Sequence, residues 1–390
     1  MHTGCAFYLG GKMKSFSLYI HIPFCEKKCH YCDFISFPRK DENIQIYIDN
    51  LIKEISLYKL RMSDFYLETI FIGGGTPSCI DADYIANVLN EVYTCFNIKK
   101  LNEITIEANP GTLDNEKIKI YKEIGINRVS LGLQTLDNRL LQSIGRIHSA
   151  EDFYKSFKLL RSNGFNNINV DLMFGLPGQS MEDLISTINK VVSMNVEHIS
   201  LYSLIIEEGT SIYRWYKKGI LQLPDEDVER LMYHKAIDIF DSNGYEQYEI
   251  SNFSKPGYNC MHNITYWRVK PYLGIGLNSH SNLFGKRFWN FSDINTYNEK
   301  LGEDEFPVED EEIIDKDMEI AEYCILGLRL NEGIIKKEFV KRFGFDIEKK
   351  YRDIILLHKQ NKLISDDEAA IKLTAKGRDL SNIVEVDFMP

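Results

Sequence analysis

Hydrophobic positions in the first half of the chain follow two alternating periods. In residues 16–22, Leu18, Ile20 and Ile22 alternate with polar or amphipathic residues, which predicts a half-buried strand. In residues 43–62, apolar residues recur every three or four positions, which predicts an amphipathic helix. The repeating unit is therefore a strand, a loop and a helix.

Six predicted strands follow one another with helices between them. The strand segments, each with the loop that follows it, are 16–22, 68–78, 103–112, 128–135, 167–180 and 198–210. The helices lie near 43–62, 82–97, 114–124, 150–163 and 181–194. Alternating strands and helices favour parallel pairing, and six units are fewer than the eight of a closed barrel. We predict an α/β fold built on an open, partial (βα)6 barrel.

Domain boundaries follow from where this pattern starts and stops. We expect an N-terminal extension over 1–15, a candidate for disorder, and the partial barrel over 16–235. We expect residues 1–12, which precede Met13, to be dispensable, with Met13 as an alternative start. Residues 236–302 are expected to form a segment packed on the barrel.

The last part of the chain has a different character. An acidic run at 303–312 is expected to be a solvated connector. Helical patterns lie near 315–330, 336–343 and 347–361, and residues 362–380 fit a hairpin and a short helix. Three helices and a hairpin predict a winged-helix-like domain over 303–390.

Charge and composition limit the classes of function. The chain has 390 residues, 44% hydrophobic and 26% charged, which is typical of a globular protein. A net charge of −11 argues against a broad nucleic-acid surface. Residues 336–378 hold 12 Lys and Arg against 7 Asp and Glu, a balance of +5. We therefore expect a solvated face there, or a docking surface for a protein or anionic lipid, rather than a nucleic-acid site.

Cellular location is predicted from the cysteines and the first residues. The eight cysteines show no disulfide framework, and no basic start followed by an apolar core indicates a signal peptide. No run approaches the roughly 18 apolar residues of a membrane span. We expect a cytoplasmic protein with reduced thiols.

Three of the cysteines stand close together, at Cys25, Cys29 and Cys32, in a C-x3-C-x2-C spacing. They lie in the loop after the first predicted strand. Iron–sulfur clusters and structural zinc sites generally take four protein ligands, so one ligand is unaccounted for. From the residues alone, an iron–sulfur site, a zinc site with a distant fourth ligand and an unliganded loop remain open.

Polar residues and glycines recur where the predicted strands end. They are Gly73, Gly74, Gly75, Glu107, Gln134 and Asp171. Each alone is explained by a turn, a helix cap or a salt bridge. Because the carboxyl ends of barrel strands form one mouth, we expect these residues and the cysteine loop to converge there.

The cysteine spacing after the first strand and the glycine-rich segment after the second resemble the radical S-adenosylmethionine (SAM) superfamily. The resemblance implies a [4Fe–4S] cluster in which Cys25, Cys29 and Cys32 each bind one iron. It also implies that SAM binds the fourth iron and is cleaved to methionine and a 5′-deoxyadenosyl radical. The protein would supply binding, orientation and exclusion of side reactions.

Six further stretches resemble one branch of this superfamily, which contains oxygen-independent coproporphyrinogen III oxidases and heme chaperones of the HemW group. The stretches are SLYIHIPFC, GGGTPS, EANPGT, SLGLQT, IGRIHS and VDLMFGLPGQ. The resemblance implies SAM contacts at Tyr19, Tyr31, Gly74, Gly75, Thr76, Glu107, Gln134, Arg146 and Asp171.

Two groups within this branch differ at recognisable positions. The oxidases continue C-x-C after the third cysteine, whereas this chain has Phe34, and they carry a longer N-terminal extension. Residues 262–267, HNITYW, match the H-N-x-x-Y-W motif of the HemW group at His262, Asn263, Tyr266 and Trp267. These features favour the chaperone group.

The motif also suggests where heme would be held. Imidazole is a common axial ligand of heme iron, and aromatic rings offer flat faces to a porphyrin. The resemblance implies heme contacts at His262, Tyr266 and Trp267. His280 and Cys260 are further candidate ligands.

We predict a heme chaperone that passes heme to an acceptor such as a membrane-bound respiratory cytochrome. This partner would bring a cytoplasmic protein to the inner face of the membrane, and a homodimer remains open. The alternatives are an oxidase that decarboxylates coproporphyrinogen III through the deoxyadenosyl radical and a radical enzyme with another substrate.

Overall fold

The computed structural model describes residues 13–39 and 41–390, so the expectations for residues 1–12 lie outside the described part. The strands are β1 Lys14–Ile22, β2 Phe24–Cys25, β3 Phe37–Pro38, β4 Phe65–Gly74, β5 Glu103–Ala108, β6 Arg128–Gln134, β7 Ile168–Phe174, β8 His198–Ser203, β9 Glu246–Glu249, β10 Asn252–Ser254, β11 Tyr272–Ile275, β12 His280–Leu283, β13 Lys286–Asn290, β14 Val308–Ile313, β15 Ile334–Ile335, β16 Ile364–Asp366 and β17 Ala370–Leu373.

The helices are numbered along the chain in the same way. They are α1 Asp41–Tyr58, α2 Ala82–Cys95, α3 Asn115–Glu123, α4 Asn138–Ser143, α5 Ala150–Ser162, α6 Met181–Ser193, α7 Ser211–Lys217, α8 Glu226–Ser242, α9 Met261–Trp267, α10 Ile294–Gly302, α11 Lys316–Arg329, α12 Lys336–Phe343, α13 Glu348–Gln360, α14 Ala375–Asp379 and α15 Ser381–Val386, with a 3-10 turn at Pro77–Cys79.

Twelve of the described strands form one sheet, in the order β14-β13-β12-β11-β1-β4-β5-β6-β7-β8-β10-β9. The six strands predicted from the sequence are β1 and β4 to β8, and they pair in parallel and in chain order. This confirms the predicted α/β fold with a mainly parallel sheet. Because β14 and β9 are the two ends of the order, the sheet is open.

The two faces of the sheet differ in chemistry. On β1, Leu18, Ile20 and Ile22 are fully buried in the main core, which also contains Leu51 of α1. Tyr19 points to the opposite face, as the alternation of a strand requires. We call that opposite face, which carries Tyr19, Glu107 and Asp171, the inner face.

Strands after residue 236 widen this sheet at both edges. β10 pairs antiparallel with β8, and β11 pairs in parallel with β1. The acidic run expected to be a connector instead forms β14, which pairs antiparallel with β13 and covers one edge. Charged side chains suit this position, because they discourage an exposed strand from pairing with another chain.

The C-terminal part has its own small sheet and core. The strands pair in the order β15-β17-β16, and helices α11 to α13 match the three predicted helices closely. Phe339, Ile355 and Ile371 are among the buried residues that hold this unit together. None of the helices in the described residues has the length and apolar character needed to cross a bilayer.

Candidate functional site

The cysteine loop is fixed at both ends and in its middle. Short parallel pairing of β2 with β3 joins its ends, and the Phe37 amide donates to the Pro23 carbonyl over 2.7 Å. In the middle, the His30 amide donates to the Ile144 carbonyl, and the His30 ring packs edge-on against Trp215 at 4.7 Å. The loop is therefore held in place by the protein around it.

The three cysteines share one cavity but have different neighbours. Cys25 is buried, with its Sγ 3.5 Å from Oγ1 of Thr76, and Cys29 Sγ lies 3.6 Å from the Arg146 guanidinium. Burial raises the pKa of Cys25, and it raises the pKa of Cys32 to about 11. A metal that binds these thiols would therefore displace protons from them.

The glycine run after β4 allows the main chain to pass close to the cysteine loop. Gly74 has a φ of +113°, and a Cβ there would lie 2.5 Å from the His21 ring. A Cβ on Gly75 would lie 2.6 Å from the Phe24 carbonyl oxygen. Larger residues would push the strand end and the loop apart.

Two buried carboxyl groups stand on neighbouring inner-face positions. Glu107 accepts a hydrogen bond from the Gly74 amide at 3.1 Å, and Asp171 accepts from Ser130 and Asn169 at 3.0 and 2.8 Å. Burial, followed by the charge of Asp171, raises the pKa of Glu107 to about 8. Burial also raises the pKa of Asp171. Both groups are costly to bury without a polar ligand to meet them.

Gln134 and Arg146 complete the polar lining. Gln134 ends β6 with a φ of +70° beside a register shift, an unusual conformation for a residue with a side chain. Arg146 donates to the Gly132 carbonyl at 2.5 Å and to Oδ1 of Asn109 at 2.6 Å. Its position beside Cys29 places a cation next to the cysteine loop.

One cavity of about 340 Å³ brings the expected residues together. The predicted residues that line it are Cys25, Cys29, Cys32, Tyr31, Gly74, Gly75, Thr76, Glu107, Gln134, Arg146 and Asp171. Tyr19 is not among the lining residues, since it stacks on Phe71 and its hydroxyl lies 3.0 Å from Nδ1 of His21. We call this cavity, at the carboxyl ends of the strands, the mouth.

The donor set of the mouth fits an iron–sulfur cluster and SAM. Within the described residues no three His, Cys, Asp or Glu side chains are grouped to hold a single metal ion. A cluster differs from one ion, because each thiolate binds a separate iron. Three cysteines in one cavity that is also lined by carboxyl and amide groups suit a cluster with a polar ligand beside it.

Sequence analysis missed several lining residues. They are Asn109, Ser130, Gly132, Met173 and Tyr202. Asn109 and Met173 each follow a predicted residue by two positions, so the two-residue period of a strand places them on the same face. That period was available in the sequence and could have identified them.

The HNxxYW motif lies at the other end of the sheet. Helix α9 packs across the amino-terminal halves of the strands, where Thr265 bonds Ser17 of β1 at 2.9 Å. The amides of Met261 and His262 donate to the Glu103 carboxylate, at 2.9 and 3.0 Å, at the start of β5. We call this end, covered by α9, the closed end.

His262 is enclosed there and fully hydrogen-bonded. Its Nδ1 lies 2.8 Å from the Thr69 hydroxyl and its Nε2 lies 2.8 Å from the Tyr266 hydroxyl. The side chain is 1% exposed, and burial lowers the pKa of His262 to about 3. An iron ligand needs a free ring nitrogen, so this geometry argues against the expected heme contact.

The other motif residues connect the closed end to the C-terminal part. The Tyr266 ring packs edge-on against Tyr272 at 4.8 Å, and the Arg329 guanidinium of α11 lies 4.6 Å from the Trp267 ring centre. Cys260 is fully buried beside Glu103. These contacts account for the packing of Tyr266 and Trp267, which are both half-buried.

Comparison with known proteins agrees with this architecture. Residues 19–191 match the Radical SAM superfamily, and residues 314–380 match the HemN C-terminal domain. The solved coproporphyrinogen III oxidase (HemN) from Escherichia coli is similar in fold, with a TM-score of 0.84, 21% identity, and coverage of 97% of this chain and 91% of that one.

Relatives of known sequence are similar over nearly the whole chain. Heme chaperone HemW of Lactococcus lactis subsp. lactis (strain IL1403) is 39% identical over 376 residues, 96% of this chain and 97% of the relative. Heme chaperone HemW of Bacillus subtilis (strain 168) is 38% identical over 96% of this chain and 99% of the relative. The chain belongs to the HemW family. The resemblance predicted from the motifs is thereby confirmed.

The radical SAM match covers the part of the chain that forms the mouth. The match over residues 19–191 includes the cysteine loop, the glycine run and both buried carboxyl groups. A radical SAM domain implies SAM and a [4Fe–4S] cluster as cofactors. The HNxxYW motif itself, at residues 262–267, lies outside both matched segments.

Proposed function

We propose that this protein is a heme chaperone, which binds heme and delivers it to an acceptor protein. The observation that carries the proposal is similarity to heme chaperones HemW over 96% of the chain at 38–39% identity. The likeness to the oxidase HemN, at 21% identity, concerns the fold and is compatible with either activity.

A second observation favours the chaperone over the oxidase. Phe34 occupies the position at which the oxidase pattern has a further cysteine. The Phe34 side chain is 63% exposed and stands at the rim of the mouth. An exposed aromatic ring is an energetic cost without a ligand or partner, and it suits a surface that meets a large apolar molecule.

The mouth would hold the cofactors of the family. Cys25, Cys29 and Cys32 would bind three irons of a [4Fe–4S] cluster, and when bound the cluster would supply single electrons. Glu107 and Asp171 would accept hydrogen bonds from the polar groups of SAM, and Arg146 would offset the negative charge beside Cys29. The glycine run would let backbone amides approach SAM closely.

The acceptor is proposed to be a heme-binding protein, such as a membrane-bound respiratory cytochrome. The expected docking surface is the basic stretch at 336–378. On it, Lys336 forms ion pairs with Glu348 and Asp366, and Lys350 with Asp317. Lys336 and Lys350 are therefore already paired within the chain, and the remaining basic side chains of the stretch would meet a partner.

One experiment separates the chaperone from the oxidase. The protein would be reconstituted anaerobically with iron and sulfide, and one sample assayed for hemin binding, heme transfer to an apo-heme protein, and coproporphyrinogen III turnover with SAM and a reductant. We expect binding and transfer without turnover. Sustained formation of protoporphyrinogen would replace the chaperone proposal with the oxidase, and failure to bind hemin would remove it.

A further inference from the structure

His280 is the first residue of β12, and its side chain forms no hydrogen bond in the described structure. Its ring is exposed and stacks on Trp289 of β13, with ring centres 5.6 Å apart and planes at 25°. Among the histidines in the described part of the chain, His280 alone is exposed and forms no hydrogen bond in the structure. His262 is the opposite case, because both of its ring nitrogens are bonded.

The main chain that carries His280 is held firmly. The Gly276 amide donates to Glu54 at 2.9 Å, and the Asn290 amide group donates to the Gly276 carbonyl at 2.9 Å and to Glu54 at 2.7 Å. The backbone amide of Asn290 also donates to the Ser279 carbonyl. This buried network fixes the turn before β12 while the His280 side chain stays outside it.

A close strand contact fixes the position further. A Cβ at Gly274 of β11 would lie 2.3 Å from the His280 carbonyl oxygen. Glycine there lets the start of β12 lie directly against β11. A binding site needs a rigid backbone below a free functional side chain. Such a backbone is already ordered, so binding costs little further conformational entropy.

The register places His280 on the inner face. Tyr272 and Asn282 are directly opposed, and so are Tyr272 and Ser17, so all three share one face. His280 lies two residues before Asn282 and points the same way, while Ser281 between them is buried. β12 is three strands from β4 in the sheet, roughly 14 Å at the usual strand spacing. His280 lies opposite Gly274, level with Tyr19 of β1, and so stands between the mouth and the closed end.

We propose that His280, with Trp289 beside it, is the axial ligand for heme bound on the inner face of the sheet. The inference rests on the proposed function, and it moves the heme ligand away from the HNxxYW motif. Iron takes an imidazole nitrogen with a free lone pair, and His280 supplies one without breaking a hydrogen bond. Trp289, stacked on the imidazole, fixes the orientation of the ring.

Two further observations support this assignment. Partial burial, followed by the Arg287 guanidinium on the next strand, lowers the pKa of His280, which favours the neutral imidazole that binds iron. Cys260, the other candidate ligand, is fully buried against the Glu103 carboxylate. Of the three candidates, His280 alone can meet a ligand without rearrangement.

The test is a hemin titration of the full chain, followed by absorption spectroscopy. In His280→Ala the Soret band should shift away from its wild-type position, and the apparent Kd should rise roughly tenfold or more, because the iron loses its protein ligand while apolar contacts remain. Added imidazole should restore the wild-type spectrum. The matched control is His234→Ala, which removes a half-exposed histidine bonded to Asp379.

The outcomes separate the inference from the proposed function. If wild-type protein binds hemin and His280→Ala binds it with the same spectrum and affinity, the His280 assignment is overturned and the chaperone proposal stands. If wild-type protein does not bind hemin, the chaperone proposal itself fails. Loss of the wild-type spectrum in His280→Ala with rescue by imidazole, and none of this in His234→Ala, supports the assignment.

Discussion

The two ends of the sheet carry the two sequence motifs of this protein, and they are built in opposite ways. At the mouth, Glu107 and Asp171 are buried beside a cavity of about 340 Å³, with capacity to accept further hydrogen bonds. At the closed end, His262 has a partner on each ring nitrogen. The difference teaches that the mouth keeps polar groups free for a ligand, whereas the motif histidine at the closed end already has both ring nitrogens hydrogen-bonded within the fold.

The strongest test of the mouth removes a cluster ligand. In Cys29→Ala, one of three thiolates is lost, and we expect the [4Fe–4S] cluster to fail to assemble stably, because the remaining two cannot hold it. Iron and sulfide analysis after anaerobic reconstitution measures this. Cys95→Ala, at the end of α2 and outside the mouth, is the control and should retain the cluster. About four irons per chain in Cys29→Ala would refute the site.

Replacing His262 is the most direct way to destabilise the closed end. His262→Ala leaves the hydroxyls of Thr69 and Tyr266 without their partner and opens a cavity. We expect the free energy of unfolding to fall by roughly 2–4 kcal/mol in urea titrations. His280→Ala, at an exposed ring, should change it by no more than about 0.5 kcal/mol. Equal stability of the two variants would contradict the comparison.

The affinity of Glu107 variants for SAM tests whether the polar groups of the mouth contact a ligand. Glu107→Ala removes a buried acceptor, and we expect SAM binding to weaken by roughly 1–3 kcal/mol, measured by calorimetry on the reconstituted protein. Glu107→Gln keeps an acceptor for the Gly74 amide and should lose less. Glu68→Ala, on β4 but outside the mouth, is the control. If Glu107→Ala binds SAM as tightly as the control does, Glu107 has no part in the site.

Per pH unit, the smallest expected effect is a pH dependence of the closed end. Burial holds the pKa of His262 at about 3, below the usual 6.5, so the unfolded chain binds more protons between these values. Stability is therefore fully present above about pH 6.5 and falls as the pH falls, by up to about 1.4 kcal/mol per pH unit for this one group. His262→Gln should flatten that slope, whereas His280→Gln should leave the slope nearly unchanged. Parallel slopes in all three proteins would argue that His262 is not buried in its neutral form.

Strand periodicity explains how much of the fold the sequence could predict. The alternation at Leu18, Ile20 and Ile22 identified β1, and the same reasoning found all six central parallel strands. It could not find β14, because the acidic residues 308–313 show no apolar alternation. They pair with β13 through the backbone and through ion pairs with Lys286 and Arg287. Sequence reasoning could also identify the residues of the mouth. Once the parallel strands are known, their carboxyl ends are expected to converge.

The closed end was beyond sequence reasoning for a different reason. Nothing local shows that His262 bonds Thr69, because 193 residues separate them in the chain. The carboxylate of Glu103, which caps α9, is equally remote from it in sequence. Likewise, the backbone position that leaves the His280 ring without a hydrogen bond depends on Gly274, Glu54 and Asn290. These residues come together only in the folded sheet.

Histidine modification in the native protein tests the difference between the enclosed His262 and the exposed His280 most directly. Native protein would be treated with diethyl pyrocarbonate, with and without hemin, and the modification of each histidine followed by mass spectrometry. The account predicts that His280 reacts quickly, that hemin slows its reaction, and that His262 is protected in both conditions until the protein unfolds. Fast reaction of His262, or protection by hemin of His262 and not of His280, would contradict it.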